Sequence, residues 1–330
     1  MNVRTPSDED VISLVGDAVA APSLHNAQPW RFRYLRHLRT FELYADFDRA
    51  LPYTDPRARS LHIGCGAALL NLRVALAHGG WHVRTRLLPD AADPTFVAAV
   101  RLVGPGTGDA DLASLHPAVT ERHSSRFPFD EDPIPDDLRT TLTETARREG
   151  AELAFPSPWH LQYLLELVRE AETSERADPA ARRELAEWTR TDAPSVNFAD
   201  DGVPDYAFGP ARSGGGAAVR DFAGTRQVTG RATAVFEAEP QIACLSTTHD
   251  RPEDWLRAGQ AMERLLLLAT TEGLVGSLVT QPLERPDVRW LLRDPVTGAG
   301  HPQMLLRLGH GPKGPRTPRR PVSEVLDIWP

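Results

Sequence analysis

Apolar positions along the chain follow two periods, and the change from one period to the other predicts its helices and strands. Apolar residues spaced three and four apart predict helices, and alternation of apolar with polar residues predicts strands. The predicted helices span residues 11–21, 55–78, 135–149, 159–173, 179–190 and 252–271. The predicted strands span residues 30–35, 40–45, 81–88, 95–103, 241–246 and 302–309. Both patterns fade over residues 191–223.

Capping and packing residues refine these predictions for the first two helices. Ser7 can cap the first helix, and Asp55-Pro56 predicts the start of the second. Gly64-x-Gly66 lies in the middle of the second helix with no strand before it. That position favours close helix packing over a dinucleotide-binding loop.

The segment between the first helix and the first strand, residues 22–30, places polar side chains between two prolines. Each proline disfavours helical backbone at the preceding residue, so this segment is predicted to be a rigid, extended turn. Hydrogen-bonding side chains on a stiff backbone, with a tryptophan at the exit, suit a planar heteroaromatic ligand. These side chains are Ser23, His25, Asn26 and Gln28. A polar connection without a ligand explains the same residues about equally well.

A short basic motif, Arg122-x-Ser124-x-Arg126, precedes the helix predicted at residues 135–149. Two guanidinium groups that flank a hydroxyl suit a phosphate monoester, which arginine binds through paired hydrogen bonds. A second basic pair, Arg319-Arg320, follows the last predicted strand. The alternative for the first motif is a solvated run of surface charge.

Composition and charge narrow the classes of function. The net charge of −8 argues against nucleic acid as a main partner. The two cysteines, Cys65 and Cys244, lie far apart and outside any CxxC motif, which favours a reducing cytoplasm and predicts neither a disulfide framework nor a metal site. No apolar run reaches the roughly 18 residues of a membrane helix, and the acidic N-terminal stretch is not typical of a signal peptide.

Three blocks of sequence, residues 21–32, 43–52 and 55–69, resemble the nitroreductase superfamily and, within it, the Acg-type proteins of actinobacteria. The resemblance implies an α+β fold of nitroreductase type. It implies that the loop bearing Ser23, His25, Asn26 and Gln28 contacts the ring of FMN. The other implied cofactor contacts are Arg122, Ser124, Arg126, Arg319 and Arg320 at the phosphate, and Thr280 and Gln281 near the reactive edge of the ring.

The resemblance also implies two nitroreductase-like halves fused into one chain, residues 1–115 with the ring loop and residues 116–330 with the phosphate motif. A faint repeat agrees, because Leu61 and Gly64 correspond to Leu256 and Gly259 at a common offset. The first half lacks the second phosphate-binding arginine. The second half has only residues 156–159 where a ring loop would lie. We therefore expect a monomer built as an internal pseudo-dimer, open to further dimerisation, with one FMN per chain.

Residues 191–223 are interpreted as a lid over the flavin, because they resemble the covering segment of Acg-type proteins. Residues 214–216 are three glycines that can serve as a hinge. Tyr206 and Phe208 could cap an aromatic cofactor by stacking. An insertion with no role in the site is the alternative.

The function implied by the resemblance is that of a cytoplasmic FMN-dependent oxidoreductase acting on small molecules. Hydride would pass from NADH or NADPH to the flavin and then to a nitroaromatic or quinone-like acceptor, while the protein positions the ring. The alternative function is storage or sequestration of FMN beneath a closed lid, without turnover. Opening of the lid distinguishes the oxidoreductase from the storage protein, since only the oxidoreductase requires a nicotinamide to reach the flavin face.

Overall fold

The chain forms interleaved helices and antiparallel strands, which confirms the α+β class. The computed structural model describes residues 5–105, 109–190, 200–224, 226–294, 296, 298 and 300–330. The α-helices are α1 (Asp8–Ala18), α2 (Arg59–His78), α3 (Ala110–Ala113), α4 (His116–Glu121), α5 (Asp136–Arg148), α6 (Pro158–Ala177), α7 (Pro179–Glu187), α8 (Pro252–Thr271), α9 (Pro286–Arg289) and α10 (Val322–Val325). The strands are β1 (Trp30–Leu35), β2 (Thr40–Ala45), β3 (Trp81–Leu87), β4 (Phe96–Pro105), β5 (Glu152–Ala154), β6 (Thr189–Arg190), β7 (Val203–Pro204), β8 (Ala211–Gly214), β9 (Thr233–Val235), β10 (Ile242–Thr247), β11 (Val275–Val279), β12 (His301–Gly309) and β13 (Leu326–Trp329). Short 3-10 helices lie at Leu24–Asn26, Phe47–Arg49, Asp205–Ala207, Gln281–Leu283 and Trp290–Leu292.

Two sheets repeat one topology. The first sheet has the order β13-β1-β2-β4-β3, and the second has the order β11-β12-β10-β5. In each, two strands precede a long helix and two follow it, as β1-β2-α2-β3-β4 and as β5-β10-α8-β11-β12. Strand β13 adds to the first sheet parallel to β1, so the last strand of the chain leaves the second sheet and joins the first. The division into residues 1–115 and 116–330 stays a prediction, and β13 crosses it.

The two long helices, α2 and α8, cross at a pair of glycines in the core. A Cβ atom added to Gly66 would collide with the carbonyl oxygen of Leu256, and one added to Gly259 would collide with that of Ile63. Only glycine lets the two backbones approach this closely. In this reciprocal contact the partner of Gly259 is Gly66. The faint sequence repeat had instead aligned Gly259 with Gly64, two residues earlier. A Cβ atom added to Gly64 would instead lie 3.3 Å from the Cβ atom of Ser23.

The predicted Ser7 cap of helix α1 is confirmed, although the helix spans Asp8–Ala18 rather than residues 11–21, and α2 starts later than predicted. The Ser7 hydroxyl accepts the N–H of Asp10, whose carboxylate accepts the N–H of Ser7, which completes a capping box. Helix α2 starts at Arg59 rather than at residue 55, after Ala58 adopts a left-handed conformation with φ 55°. The Asp55 carboxylate still accepts a helical N–H, that of Leu61, at 2.9 Å. The prediction of Asp55 as the N-cap residue is therefore wrong, although its side chain does accept an N–H of the first helical turn.

The connection from α5 to β5 corrects the predicted position of the degenerate ring loop. In the first half, residues 19–29 connect α1 to β1 and contain the polar loop. The equivalent connection in the second half, from α5 to β5, consists of residues 149–151 alone. Residues 156–159 lie after β5, so they do not occupy the equivalent position. The connection from α5 to β5 is therefore much shorter than the polar loop between α1 and β1.

Helix α2 is long and apolar enough, by length and composition, to cross a membrane. In the fold, 94% of its most apolar window is buried, as expected for the central helix of a core. Within the described ranges, no three His, Cys, Asp or Glu side chains are grouped to hold a metal ion.

Candidate functional site

The polar loop, residues 22–29, is held in an unusual backbone conformation. His25, Asn26 and Gln28 have positive φ values of 51°, 56° and 52°, although none of them is glycine. Such residues are uncommon outside functional sites, because the left-handed region crowds the Cβ atom. The Ser23 hydroxyl closes the loop by accepting the N–H of Gln28 at 2.8 Å. The predicted extended turn is therefore wrong, since the loop is a compact 3-10 turn that contains two left-handed residues, His25 and Asn26, and is followed by a third, Gln28.

Residues from distant segments meet beside this loop in two adjoining spaces, which we call the polar-loop cleft. Both spaces are lined by Ser23, His25, Ser124 and Arg126. The first is also lined by Thr280, Val219, Arg220 and Phe222, and the second also by Asn26, Arg122, Val203 and Arg319. Their volumes are about 60 Å³ and about 50 Å³. Pockets that hold whole organic ligands usually measure roughly 300–1,000 Å³, so both spaces are smaller than such pockets.

The cleft concentrates positive charge. Burial, reinforced by the neighbouring Arg122, lowers the pKa of Arg319 to about 9. Burial and then Arg220 lower the pKa of Arg126 to about 10. Burial together with Arg122 and Arg319 lowers the pKa of His123 to about 4. Crowded cations of this kind depress one another's pKa values, and a bound anion would relieve the repulsion.

One buried carboxylate partly offsets this charge. Glu263 of α8 is fully buried, and its Oε1 lies 3.1 Å from Nε of Arg122. Arg122 also donates to the carbonyl oxygen of Ala20 at 2.8 Å, and Arg319 donates to the same carbonyl at 3.0 Å. The turn that follows helix α1 thus accepts hydrogen bonds from both arginines, and Arg319 links it to the C-terminal segment.

His25 is neutral and carries an unsatisfied donor. Burial first, then Arg220 and Arg126, hold the pKa of His25 well below its usual value. Nη1 of Arg220 lies 2.5 Å from Nε2 of His25, and a guanidinium only donates, so Nε2 accepts and the proton sits on Nδ1. Nδ1 is buried and has no hydrogen-bond partner among the described residues. A ligand with an acceptor would satisfy it.

Residues 200–224, which we call the covering segment, are tied across the polar loop. Gln28 donates to the carbonyl oxygen of Asp200 at 2.6 Å, and Asn26 donates to that of Gly202 at 3.0 Å. The Asp201 carboxylate forms ion pairs with Arg49 and, at 2.6 Å, with Arg190. The start of the predicted lid, residues 191–199, lies outside the described residues.

The aromatic residues chosen from the sequence do not line the cleft. Tyr206 is 54% exposed and donates through its hydroxyl to the carbonyl oxygen of Arg316. Phe208 is only 1% exposed and packs on Phe222 with ring centroids 6.0 Å apart. Phe222 lines the cleft instead, and its ring edge lies against His25. Its position near the end of the covering segment gave no signal in the sequence.

The glycines at residues 214–216 lie in a hydrogen-bonded pairing with residues 236–237, and their role as a hinge stays a prediction. The N–H of Gly216 donates to the carbonyl oxygen of Glu237 at 2.9 Å, and the N–H of Phe236 donates to that of Gly214 at 3.1 Å. A Cβ atom on Gly215 would collide with the carbonyl oxygen of Phe236. These glycines permit close strand pairing, which explains their presence without motion.

Three of the predicted site side chains turn away from the cleft. Gln28 accepts the backbone N–H of Arg320 at 2.8 Å and holds the covering segment with its amide. The Arg320 guanidinium lies 3.8 Å from the Asp46 carboxylate and 3.6 Å from that of Glu324. Gln281 lines a separate cleft with Tyr53 and Glu284. These side chains support the loop or another site, whereas Ser23, His25, Asn26, Arg122, Ser124, Arg126, Thr280 and Arg319 are brought together.

Comparison with known proteins identifies the family. The nitroreductase family model matches residues 119–310, which include the basic motif and the second sheet. A Mycobacterium tuberculosis H37Rv protein named as a candidate NAD(P)H nitroreductase, Rv3131, is 33% identical over all of this chain and 94% of its own length. The chain belongs to the nitroreductase family.

Other members are similar to this nitroreductase-family chain to different extents. The H37Rv protein acg, also named as a candidate NAD(P)H nitroreductase, is 32% identical over 97% of this chain and 96% of its own length. Among solved structures, the FMN and NADPH-dependent nitroreductase NfnB of Sphigopyxis sp. strain HMH is 18% identical, with a TM-score of 0.40 over 66% of this chain and 98% of that one. A likeness at that score assigns nothing to individual residues.

Proposed function

We propose that this nitroreductase-family protein binds FMN in the polar-loop cleft and is a flavin-dependent oxidoreductase. The observation that carries the proposal is the convergence of the polar loop with Arg122, Ser124, Arg126 and Arg319 around one space. A cluster of partly buried guanidinium groups whose pKa values are depressed fits the phosphate of FMN. The unpartnered Nδ1–H of His25 fits an acceptor atom on a heteroaromatic ring.

Each side chain of the cleft would have a distinct task. Arg122, Arg126 and Arg319 would hold the phosphate, and the Ser124 hydroxyl lies between the first two in the sequence. His25, kept neutral by burial and by Arg220, would donate to the ring without adding charge. When bound, FMN supplies hydride transfer from a nicotinamide to an acceptor, so no side chain need act as an acid or base.

The covering segment would exclude water from the cleft. Phe222 and Val203 line the two spaces, and Asp201 fastens the segment through Arg49 and Arg190. Exclusion of water protects a reduced cofactor from side reactions. The names of the relatives support a nicotinamide as the hydride donor, and the acceptor would be a small molecule such as a nitroaromatic or a quinone.

Reconstitution with three flavins tests the cofactor. We expect flavin-free protein to bind FMN at least about tenfold more tightly than riboflavin, because each charge-assisted hydrogen bond to the phosphate contributes roughly 1.5–3 kcal/mol. FAD should bind weakly, since its phosphate is esterified and cannot fill the cluster of arginines. Fluorescence titration gives the three affinities. Preference for FAD, or the absence of flavin binding, would contradict the proposal.

The small volumes of the cleft favour a second candidate function, storage of FMN beneath a segment that stays closed. Anaerobic mixing of the FMN-bound protein with NADH and with NADPH separates the candidates. Rapid loss of flavin absorbance supports the oxidoreductase. FMN that binds tightly and is reduced no faster than free FMN supports storage.

A further inference from the structure

A second cleft lies on the far side of Arg220 from the polar-loop cleft, and its lining has the opposite charge. We call it the acidic cleft. It is about 290 Å³ in volume, the size of a small organic molecule. The described residues that line it are Tyr53, Thr54, Ala171, Ser174, Glu175, Asp178, Ala181, Gln281, Glu284 and Arg285. These include three carboxylates and one guanidinium, and that of Arg285 is paired with Asp287 at 2.7 Å.

Two buried acceptors in this lining lack partners. Gln281 is 3% exposed, and its Oε1 has no hydrogen-bond partner among the described residues. Oε1 of Glu284 is likewise buried and unpartnered, while Oε2 of Glu284 is 2.5 Å from Nη2 of Arg220. Buried acceptors without donors are costly, and a ligand that donates hydrogen bonds would satisfy both.

The other carboxylates of the lining are already committed to the fold, as is Oε2 of Glu284, which leaves Oε1 of Gln281 and Oε1 of Glu284 as its buried acceptors without partners among the described residues. Asp178 caps α7 by accepting the N–H of Ala180 at 2.8 Å, and it accepts the hydroxyl of Tyr53. Glu175 faces Arg220 at 3.4 Å. Burial raises the pKa of Glu175, and a cation bound nearby would reverse that rise.

We infer that the acidic cleft is a binding site for a small organic cation bearing a primary ammonium group. Gln281 and Glu284 would accept hydrogen bonds from the ammonium group. Its three N–H donors suit two acceptors that lie three residues apart in the chain. Ala171 and Ala181 offer apolar wall to a hydrocarbon portion, and the half-exposed ring of Tyr53 at the rim can face a cation. The same lining repels phosphates, so the cleft does not suit the nicotinamide dinucleotide. The inference does not depend on FMN.

A charged probe and its neutral isostere test this inference on the protein as purified. Benzylamine is an ammonium ion at pH 7.5, and benzyl alcohol has nearly the same shape without charge. We expect saturable binding of benzylamine at least about tenfold tighter than that of benzyl alcohol, by isothermal titration calorimetry. Equal affinities, or no saturable binding of benzylamine, would overturn the inference without bearing on flavin binding.

Two substitutions locate the probe, and a third is their control. Gln281→Leu and Glu284→Gln should each weaken benzylamine binding about fivefold or more, because each removes an acceptor or a charge. Glu166→Gln removes a carboxylate from the exposed face of α6 and should leave the affinity within about twofold. Equal losses in all three variants would show a diffuse charge effect and overturn the assignment. If a variant fails to fold, mapping benzylamine-dependent amide shifts on the unaltered protein decides instead, and shifts away from residues 281–285 would overturn it.

Discussion

Two adjacent arginines near the C-terminus, Arg319 and Arg320, have opposite orientations. They therefore offer a matched pair of sites for substitution. Arg319 donates to Oδ1 of Asn26 at 2.9 Å and lines the cleft. Arg320 extends toward Asp46 and Glu324. The two carry the same charge, so a purely long-range effect of charge cannot distinguish them.

We predict that Arg319→Gln weakens FMN binding by roughly 10- to 100-fold, the equivalent of about 1.5–3 kcal/mol for a charge-assisted hydrogen bond. Arg320→Gln should change it by less than about threefold, since its side chain faces other carboxylates. Fluorescence titration of both variants measures the difference. Comparable losses of FMN affinity in the two variants would place Arg320 at the phosphate beside Arg319, as the family resemblance implied.

Sequence alone could find the residues of the cleft but not the conformation of the polar loop. The types of residue at positions 23, 25, 26 and 28 predicted a ligand-binding loop or a polar connection about equally well, and Ser23, His25 and Asn26 line the cleft whereas Gln28 does not. Left-handed backbone at His25 and Gln28 carries no sequence signal, since these residues seldom adopt it. Tertiary contacts impose it, through the bonds of Asn26 and Gln28 to the covering segment.

At the scale of elements, strands and central helices were predictable because their patterns are strong. Strands β1 and β2 and helix α8 have the predicted bounds. The start of α2 and the short connection after α5 were not predictable, because both depend on how the chain turns in space rather than on periodicity. Phe222 was missed for the same reason, as a single aromatic residue in a segment without a pattern.

The crossing of α2 and α8 predicts a sharp difference between two helical glycines. Gly66→Ala should destabilise the protein by roughly 1–3 kcal/mol or more, because the added methyl group meets the backbone of α8. Gly16→Ala in α1 has only the Val322 side chain at 4.0 Å, and should stabilise it by up to about 1 kcal/mol through helix propensity. Urea unfolding gives both values. If Gly66→Ala left the free energy of unfolding unchanged, the two helices would be able to separate more easily than this packing allows.

The covering segment should gate the cleft through one carboxylate. Asp201→Asn removes the ion pairs to Arg49 and Arg190, so the open state should become more populated. We predict that FMN associates with the flavin-free variant roughly threefold to tenfold faster, in proportion to the open fraction. Asp205→Asn is the control, because the Asp205 carboxylate in the same segment accepts the N–H of Tyr206 at 2.7 Å and forms no ion pair with the described residues. Equal rates in stopped-flow mixing would show that the segment does not gate entry.

The whole molecule repeats one topology but keeps one complete set of ligand groups. The connection from α5 to β5 consists of residues 149–151, whereas the connection from α1 to β1 contains the polar loop, and on the predicted division the basic motif falls only in residues 116–330. We therefore predict one FMN per chain. Flavin absorbance compared with protein mass from amino-acid analysis measures the ratio, and two flavins per chain would show that the shortened connection still binds.

The segment between β12 and β13 runs from the second sheet to the first and carries Arg319 along its way. In the order of synthesis, both long helices therefore precede Arg319, and strand β13 of the first sheet follows it. A nascent chain would complete the proposed phosphate end of the cleft and the edge of its first sheet in the same last stretch of synthesis. We expect a chain that terminates before Arg319 to lack both, and therefore to retain little flavin.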